Sequence, residues 1–389
     1  MLYNFNEVLS RPRTEKWASL NVINGCKVLP MSVADMDVVS PVEVREALLE
    51  VISRREFGYT LSRRDFADTV CAWYRDYYGW ECDPSCLLET PGLITTLGTL
   101  LKNLLSAEDE TVLLSPVYHC FASVIKANDR RVLECPLLKD DNHYYTIDFE
   151  ALYAACKKRT TRALVFCNPH NPVGRRWSET EILRVIEICQ ETGTLLISDE
   201  IHGDFTFEDT VYTPVLKVAQ DKKGILFLSS GGKIFNIGGF YGAFAITYDP
   251  EIRKALEYIN HGFHFDTPSF AHEAAYAGYK YGRDYKRQLL PHIRRQQRRL
   301  CETLNALPGI VAPLPEATYL VWADFNGLGL DPEAIHEFLY RDAGVGFNKG
   351  SDFGTGGTGC ARINCAVPDA TLDECLKRLT EAYALRFKA

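Results

Sequence analysis

One lysine stands in a setting that solubility does not explain. Lys233 lies in SSGGKIFNIGG, residues 229–239, with two serines and two glycines before it and a glycine pair after an apolar run. A lysine amine becomes a covalent catalyst when it condenses with a carbonyl to form a Schiff base. The glycines read as room for an arm that must leave one bonding partner and return. Other polar residues close apolar runs nearby: Asn168 ends RALVFCN, Asp199 ends TLLISD, and Ser229 and Ser230 end ILFLSS just ahead of Lys233. In an open parallel sheet, ligands bind beyond the carboxyl ends of the strands. An amide, a carboxylate, hydroxyls and a lysine are therefore expected to converge on one crevice.

That set meets the demands of pyridoxal phosphate. A carboxylate beside a pyridine nitrogen keeps it protonated, and a protonated ring draws electrons from a carbanion, while a lysine holds the aldehyde. The phosphate needs turn amides or a helix N-terminus. ETPGLITTLGTLLKNLLS places a glycine before a helical stretch, so Gly92, Leu93 and Ile94 are expected to offer N–H groups and Ser230 a hydroxyl.

The elements that must position these residues follow from periodicity. SETEILRVIEICQETG carries a start signal, helical spacing at Ile182, Ile186 and Cys189, and a stopping Gly193. With RALVFCN before it and TLLISD after, it reads as a crossover unit of a mostly parallel sheet. ETVLLSP, RRVLECPL, KKGILFLSS and GAFAITYD read as further strands. The expectation is a large doubly wound α/β domain over residues 43–285. Beyond it DYKRQLLPHIRRQQRRLCETLNAL reads as a long helix, TYLVWADF and CARINCAV as strands, and TLDECLKRLTEAYALRF as a final helix. These form a smaller α+β domain, 286–389, completed by residues 1–42.

Bulk properties narrow the classes. The 389 residues are 46% hydrophobic and 24% charged with net charge −8, as for a soluble globular protein and against a nucleic-acid surface. No apolar stretch at the start reads as a signal, and none elsewhere is long enough to span a membrane. The 13 cysteines are scattered without a CxxC and read as reduced thiols of a cytoplasmic protein.

Five motifs in order resemble fold-type I pyridoxal-phosphate enzymes of the class I/II aminotransferase superfamily, and more closely its cystathionine β-lyase-like (MalY/PatB-type) branch. They are SVADMD, NPHNPVG, SDEIH, SSGGK and GSDFGTGGTGCARINCAVP. The resemblance implies a PLP-dependent transferase fold and a role for each matching residue. Lys233 is the Schiff-base lysine and the base at the substrate Cα, and Asp199 pairs with the ring nitrogen. Asn171 bonds the ring's phenolic oxygen, with Asn168 supporting its loop and His202 nearby. Tyr118 stacks on the ring, and Arg362 clamps the substrate α-carboxylate, a task suited to a planar fork. Tyr59 reaches the phosphate of a neighbouring subunit, which implies a homodimer with shared sites. One departure stands out: Tyr241 occupies the position, eight residues after the lysine, where many aminotransferases place a phosphate-binding arginine.

The implied activity is carbon–sulfur β-elimination from cystathionine, cysteine or related S-substituted cysteines. The alternatives are an aminotransferase and, from another class, a regulatory protein that holds the cofactor. Other patterns carry less. FGTGGTG contains GxGxxG, but a strand-like run follows it where a dinucleotide site needs a helix. IRRQQRRL reads as a solvated helix face. His261 and His264 make HxxH with His272 further on, and no carboxylate partner is evident that would suggest a metal.

Overall fold

Apolar runs bounded by turn residues become strands, and the amphipathic stretches between them become the helices that cover both faces. The computed structural model describes residues 2–18, 28–55, 57–207, 211–264 and 267–387. Seven strands form the main sheet: β1 (Leu87–Thr90), β2 (Glu110–Leu113), β3 (Arg131–Glu134), β4 (Thr161–Cys167), β5 (Leu195–Asp199), β6 (Ile225–Ser229) and β7 (Ala243–Ile246). Their order is β1-β7-β6-β5-β4-β2-β3. Only β7 runs antiparallel to its neighbours. This is the mostly parallel, doubly wound sheet expected.

Both faces of the sheet are buried, which is why its strands read as nearly continuous apolar runs. Leu164 and Phe166 of β4 point to one face, while Ala163, Val165 and Cys167 point to the other. The helices used below are α1 (Val42–Arg54), α2 (Phe66–Tyr78), α3 (Leu93–Leu104), α4 (His119–Ala127), α5 (Glu179–Thr192), α6 (Ser269–Tyr281), α7 (Arg283–Asn305) and α8 (Asp369–Phe387). The start and stop signals of α5 act as read. Ser178 and Glu181 form a reciprocal capping box, and Gly193 closes the helix at φ 68°.

A second core surrounds an antiparallel sheet of β8 (Leu320–Asp324), β10 (Cys360–Asn364) and β9 (Asn348–Lys349), in that order. Helix α7 serves both cores. Its Tyr285, Leu289 and Ile293 pack with the main sheet, and its Leu300, Cys301 and Leu304 pack with β8, β10 and α8. The N-terminal segment joins the second core through Leu29–Pro30, which pairs with Val345–Gly346. No helix among the described residues is long and apolar enough to cross a membrane.

The expectation of reduced thiols throughout is corrected at one place. Cys71 and Cys82 form a disulfide with Cα atoms 5.6 Å apart, while ten other described cysteines are free and Cys26 lies outside the described residues. The physical reason is a chain reversal: α2 ends at Gly79 in the left-handed conformation, which folds residue 82 back beside residue 71.

The loop after β4 is pinned against the second core. Arg175 donates to Glu316 at 2.9 Å and to Glu181 at 3.1 Å, and the Ala317 N–H donates to the Gly174 carbonyl at 3.0 Å. Gly174 has φ +72°, and a Cβ there would stand 2.4 Å from Cβ of Pro315. Strain and overlap act together at this position. Gly174→Ala is expected to destabilise the protein by about 2 kcal/mol or more, read as a lower urea midpoint at unchanged slope.

Candidate active site

The carboxyl ends of β4, β5 and β6 open onto one cavity of about 280 Å³. Its lining includes Gly92, Leu93 and Ile94 at the start of α3, Tyr118, Asn171, Asp199, His202, Ser230 and Lys233. Residues from distant parts of the sequence thus meet where the strand ends predicted.

Asp199 is the last residue of β5 and is buried, with one hydrogen-bond donor, the Ile201 N–H at 3.1 Å. Burial pushes its carboxyl up to about 7. Lys233 Nζ donates to the Ala34 carbonyl at 2.6 Å. Burial, reinforced by the Arg362 guanidinium, holds its amine below the usual lysine range. His202 is buried and kept neutral by that burial, and its Nδ1 has no partner.

Arg362, on β10, does not line the cavity itself; it meets its edge through Asn171. Its Nη1 donates to Asn171 Oδ1 at 3.0 Å and its Nη2 to Asn348 Oδ1 at 2.8 Å. The guanidinium lies 4.9 Å from the Phe353 ring centroid, and burial lowers its pKa to about 10. Its Nε is buried and unpartnered. With Asn171 Oδ1 so engaged, the amide's NH₂ is the group left to donate.

Asn168 stands behind the cavity. Its side-chain NH₂ donates to the Thr213 carbonyl at 3.0 Å and its backbone N–H to the Asp199 carbonyl at 2.9 Å, so it braces the loop that carries Asn171. Trp177 Nε1 adds a bond to the Cys167 carbonyl at 2.9 Å. Ser230 Oγ accepts from the Gly232 N–H and donates to the Gly242 carbonyl at 2.6 Å. Gly92 precedes α3 with φ 147°, and a Cβ there would lie 3.1 Å from the Tyr241 carbonyl oxygen. The N-terminus of α3 has no side-chain cap, so its first N–H groups face the cavity end unmet.

Tyr59 is fully exposed on the segment between α1 and α2, outside the cavity of its own chain. One expectation changes: the glycines before Lys233 do not clear space for its arm. A Cβ on Gly231 would meet Phe235 at 2.8 Å, and one on Gly232 would meet Ser230 Oγ at 3.1 Å. They let the loop pack on itself.

Sequence reasoning missed Ala34, whose carbonyl also accepts from the Tyr319 hydroxyl at 2.8 Å, and missed Asn348. SVADMD and the stretch before GSDFG held these residues, but a backbone carbonyl has no residue-type signature, and an isolated asparagine in a short strand carries no pattern. Thr95, Cys167 and Ile201 complete the lining beside residues already singled out.

The family described as "Aminotransferase class I and II" matches residues 27–379. Cystathionine beta-lyase PatB of Bacillus subtilis is 32% identical, covering 98% of this chain and all of that one. Cystalysin from Treponema denticola, whose structure contains pyridoxal 5'-phosphate, is 32% identical with TM-score 0.94, covering 98% of this chain and 99% of that one. The PLP-bound C–S lyase from Staphylococcus hominis is 26% identical with TM-score 0.90, covering 99% and 100% of the two chains. With the match running through both cores and every strand that feeds the cavity, the chain belongs to the class I and II aminotransferase family.

Proposed function

We propose that the protein is a pyridoxal-phosphate-dependent carbon–sulfur β-lyase that converts cystathionine, cysteine or related S-substituted cysteines to a thiol, pyruvate and ammonia. The observation that carries the reading is the convergence of Lys233, Asp199 and the Arg362–Asn171 pair at one cavity. The direction of the chemistry is supported by relatives: a cystathionine beta-lyase and a C–S lyase stand among those of near-complete overlap.

The residues fit the cofactor. Asp199 is a buried carboxylate without a bonded cation, and a protonated ring nitrogen supplies the missing counter-charge. The bare N-terminus of α3, with Ser230 beside it, suits a phosphate. Tyr118 lines the cavity to cover the ring, and the free amide donor of Asn171 and the neutral imidazole of His202 are available to its oxygen. Tyr241 gives no cation to the cup; its side chain is exposed and its carbonyl faces Gly92. When bound, pyridoxal phosphate offers an aldehyde to the substrate amine and a ring that takes up the electron pair left at Cα.

The chain's own groups do the rest. Arg362 orients the substrate carboxylate, and two asparagine oxygens hold the guanidinium in plane. Lys233, with its amine shifted toward the neutral form, takes the Cα proton. Loss of that proton sets up departure of the thiolate from Cβ. A second copy of the chain belongs to this reading. Phe57, Tyr59 and Leu61 are 63%, 108% and 97% exposed, an apolar segment a homodimer would cover, with Tyr59 reaching the partner's phosphate. The ten free thiols favour a cytoplasmic setting.

Incubation of the purified protein with L-cystathionine and no keto acid is expected to release pyruvate, and Lys233→Ala to lower the rate by about 10³-fold or more. Turnover that appears only once a keto acid is added would assign the protein to amino transfer instead.

Asp199 gives a second test. Its carboxyl titrates at about 7 in the folded protein against 3.8 when unperturbed, so the stability it contributes is present below pH 3.8 and is lost as pH rises toward 7. Asp199→Asn removes that loss. At a pH above 7 the cofactor-free variant is expected to melt higher than the cofactor-free wild type, yet to bind pyridoxal phosphate more weakly in titration. A variant that melts lower in cofactor-free form would contradict the unpaired carboxylate.

A further inference from the structure

The segment between α1 and α2 leaves the body of the protein and returns to it, and both ends rest on α6. On the outward side Phe57 stacks on Phe270 with centroids 6.4 Å apart and planes 10° apart. Gly58, Tyr59, Thr60 and Leu61 are then exposed, the first three at an open cavity shared with His264, Thr267, Pro268 and Ser269. On the return Arg63 is fixed three ways. Its Nε and Nη2 donate to Glu273 Oε2 at 3.0 and 2.8 Å, its guanidinium lies 4.5 Å from the Tyr276 ring centroid, and its backbone N–H donates to His272 Nε2 at 2.9 Å.

The last bond is the selective one. The Arg63 side chain is 39% exposed, so its ion pair is screened by water and salt. His272 is buried, with its ring 4.9 Å from that of Phe66. A ring nitrogen that accepts an N–H carries no proton, so the proton of His272 sits on Nδ1. There Glu89 Oε2 accepts it at 2.7 Å. Glu89 belongs to β1, which leads through Thr90 and Pro91 into Gly92 and the bare start of α3. The carboxylate thus fixes the tautomer, and the tautomer provides the acceptor that roots the exposed segment.

We propose that His272, oriented by Glu89, is a positioning residue that aims the Phe57–Leu61 arm at the neighbouring subunit. The strand that feeds one phosphate cup thereby also sets Tyr59, the residue that closes the cup of the second copy. The inference rests on the dimer reading given above, and the two fail separately.

The test is a double-mutant cycle on the full-length protein, with pyridoxal phosphate affinity read by titration and dimer integrity by sedimentation. His272→Phe keeps a planar ring against Phe66 but neither accepts nor donates. It is expected to weaken cofactor binding by about 5–10-fold, the effect of one lost buried hydrogen bond. His272→Gln, whose Oε1 can take the Arg63 N–H, is expected to recover most of that loss. Tyr59→Phe is expected to weaken binding comparably, and His272→Phe in the Tyr59→Phe background to add less than about twofold. Equal losses from His272→Phe in both backgrounds, or no recovery with glutamine, would overturn the positioning role. Unchanged affinity in Tyr59→Phe with the dimer intact in sedimentation would overturn the proposal alone, whereas a wild-type protein that sediments as a monomer would remove the dimer reading on which it rests. Should His272→Phe not fold, Glu89→Leu, which releases the tautomer without deleting the imidazole, carries the same cycle.

Discussion

An unpaired carboxylate at the end of a buried strand sets the terms for everything around it. Asp199 lines the cavity with, among the described residues, a single N–H donor and no ion-pair partner. Lys233 and Arg362 are buried nearby, and burial is the largest influence on all three, moving each toward its neutral form. Three charges held at a cost in one place make poor sense as stabilisation, because buried ionic groups rarely repay their desolvation. They make sense as a mould. On the proposed function, a ligand with a cationic ring nitrogen, an anionic phosphate and a substrate carboxylate would supply the opposite charges, so that its binding recovers what folding left unmet.

A mould of this kind works only if its halves stay in register. Asp199 and Lys233 come from the main sheet, whereas Arg362 and Asn348 come from the second core, and Asn171 must meet both. The contacts that join the halves run beside that meeting point. Arg175 reaches Glu316 and Gly174 admits Pro315, while Thr318 donates to the Phe205 carbonyl at 2.8 Å. Helix α7 threads both cores and leaves the second no independent axis at that end. The loop NPHNPVGRR therefore does two jobs: it presents Asn171 to the cavity and clamps the part that carries the arginine.

What could be read from the sequence divides along physical lines. The strands of the main sheet were legible because two-sided burial writes an unbroken apolar run, and α5 because its caps are side-chain chemistry. Lys233, Asp199 and Asn171 were legible because each is a polar residue placed where such a run stops. Ala34 was not, since what it contributes is a carbonyl oxygen common to every residue. Asn348 was not, since its meaning comes from facing Arg362 across a strand pair that only folding creates. The Cys71–Cys82 pair escaped for the same reason: an eleven-residue separation says nothing until Gly79 reverses the chain. Residue type announces chemistry, but proximity between distant segments is announced by nothing local.

The glycines around Lys233 have a local role other than the one their sequence suggests. The sequence reads them as slack for a moving arm, yet Gly231 is pressed by Phe235 and Gly232 by Ser230, and the Ile237 N–H donates to the Gly232 carbonyl at 2.9 Å. The loop is folded tightly on itself, so the backbone at residue 233 is a fixed point. Freedom is left to the four-carbon stem of the lysine, which extends into the cavity and rests its amine on the Ala34 carbonyl. A base that must reach the same atom on every turnover gains from such an arrangement: a mobile root would spread the amine over many positions, whereas a rigid root with a flexible stem confines it to an arc. The glycines allow the loop to be rigid, and the reach belongs to lysine itself.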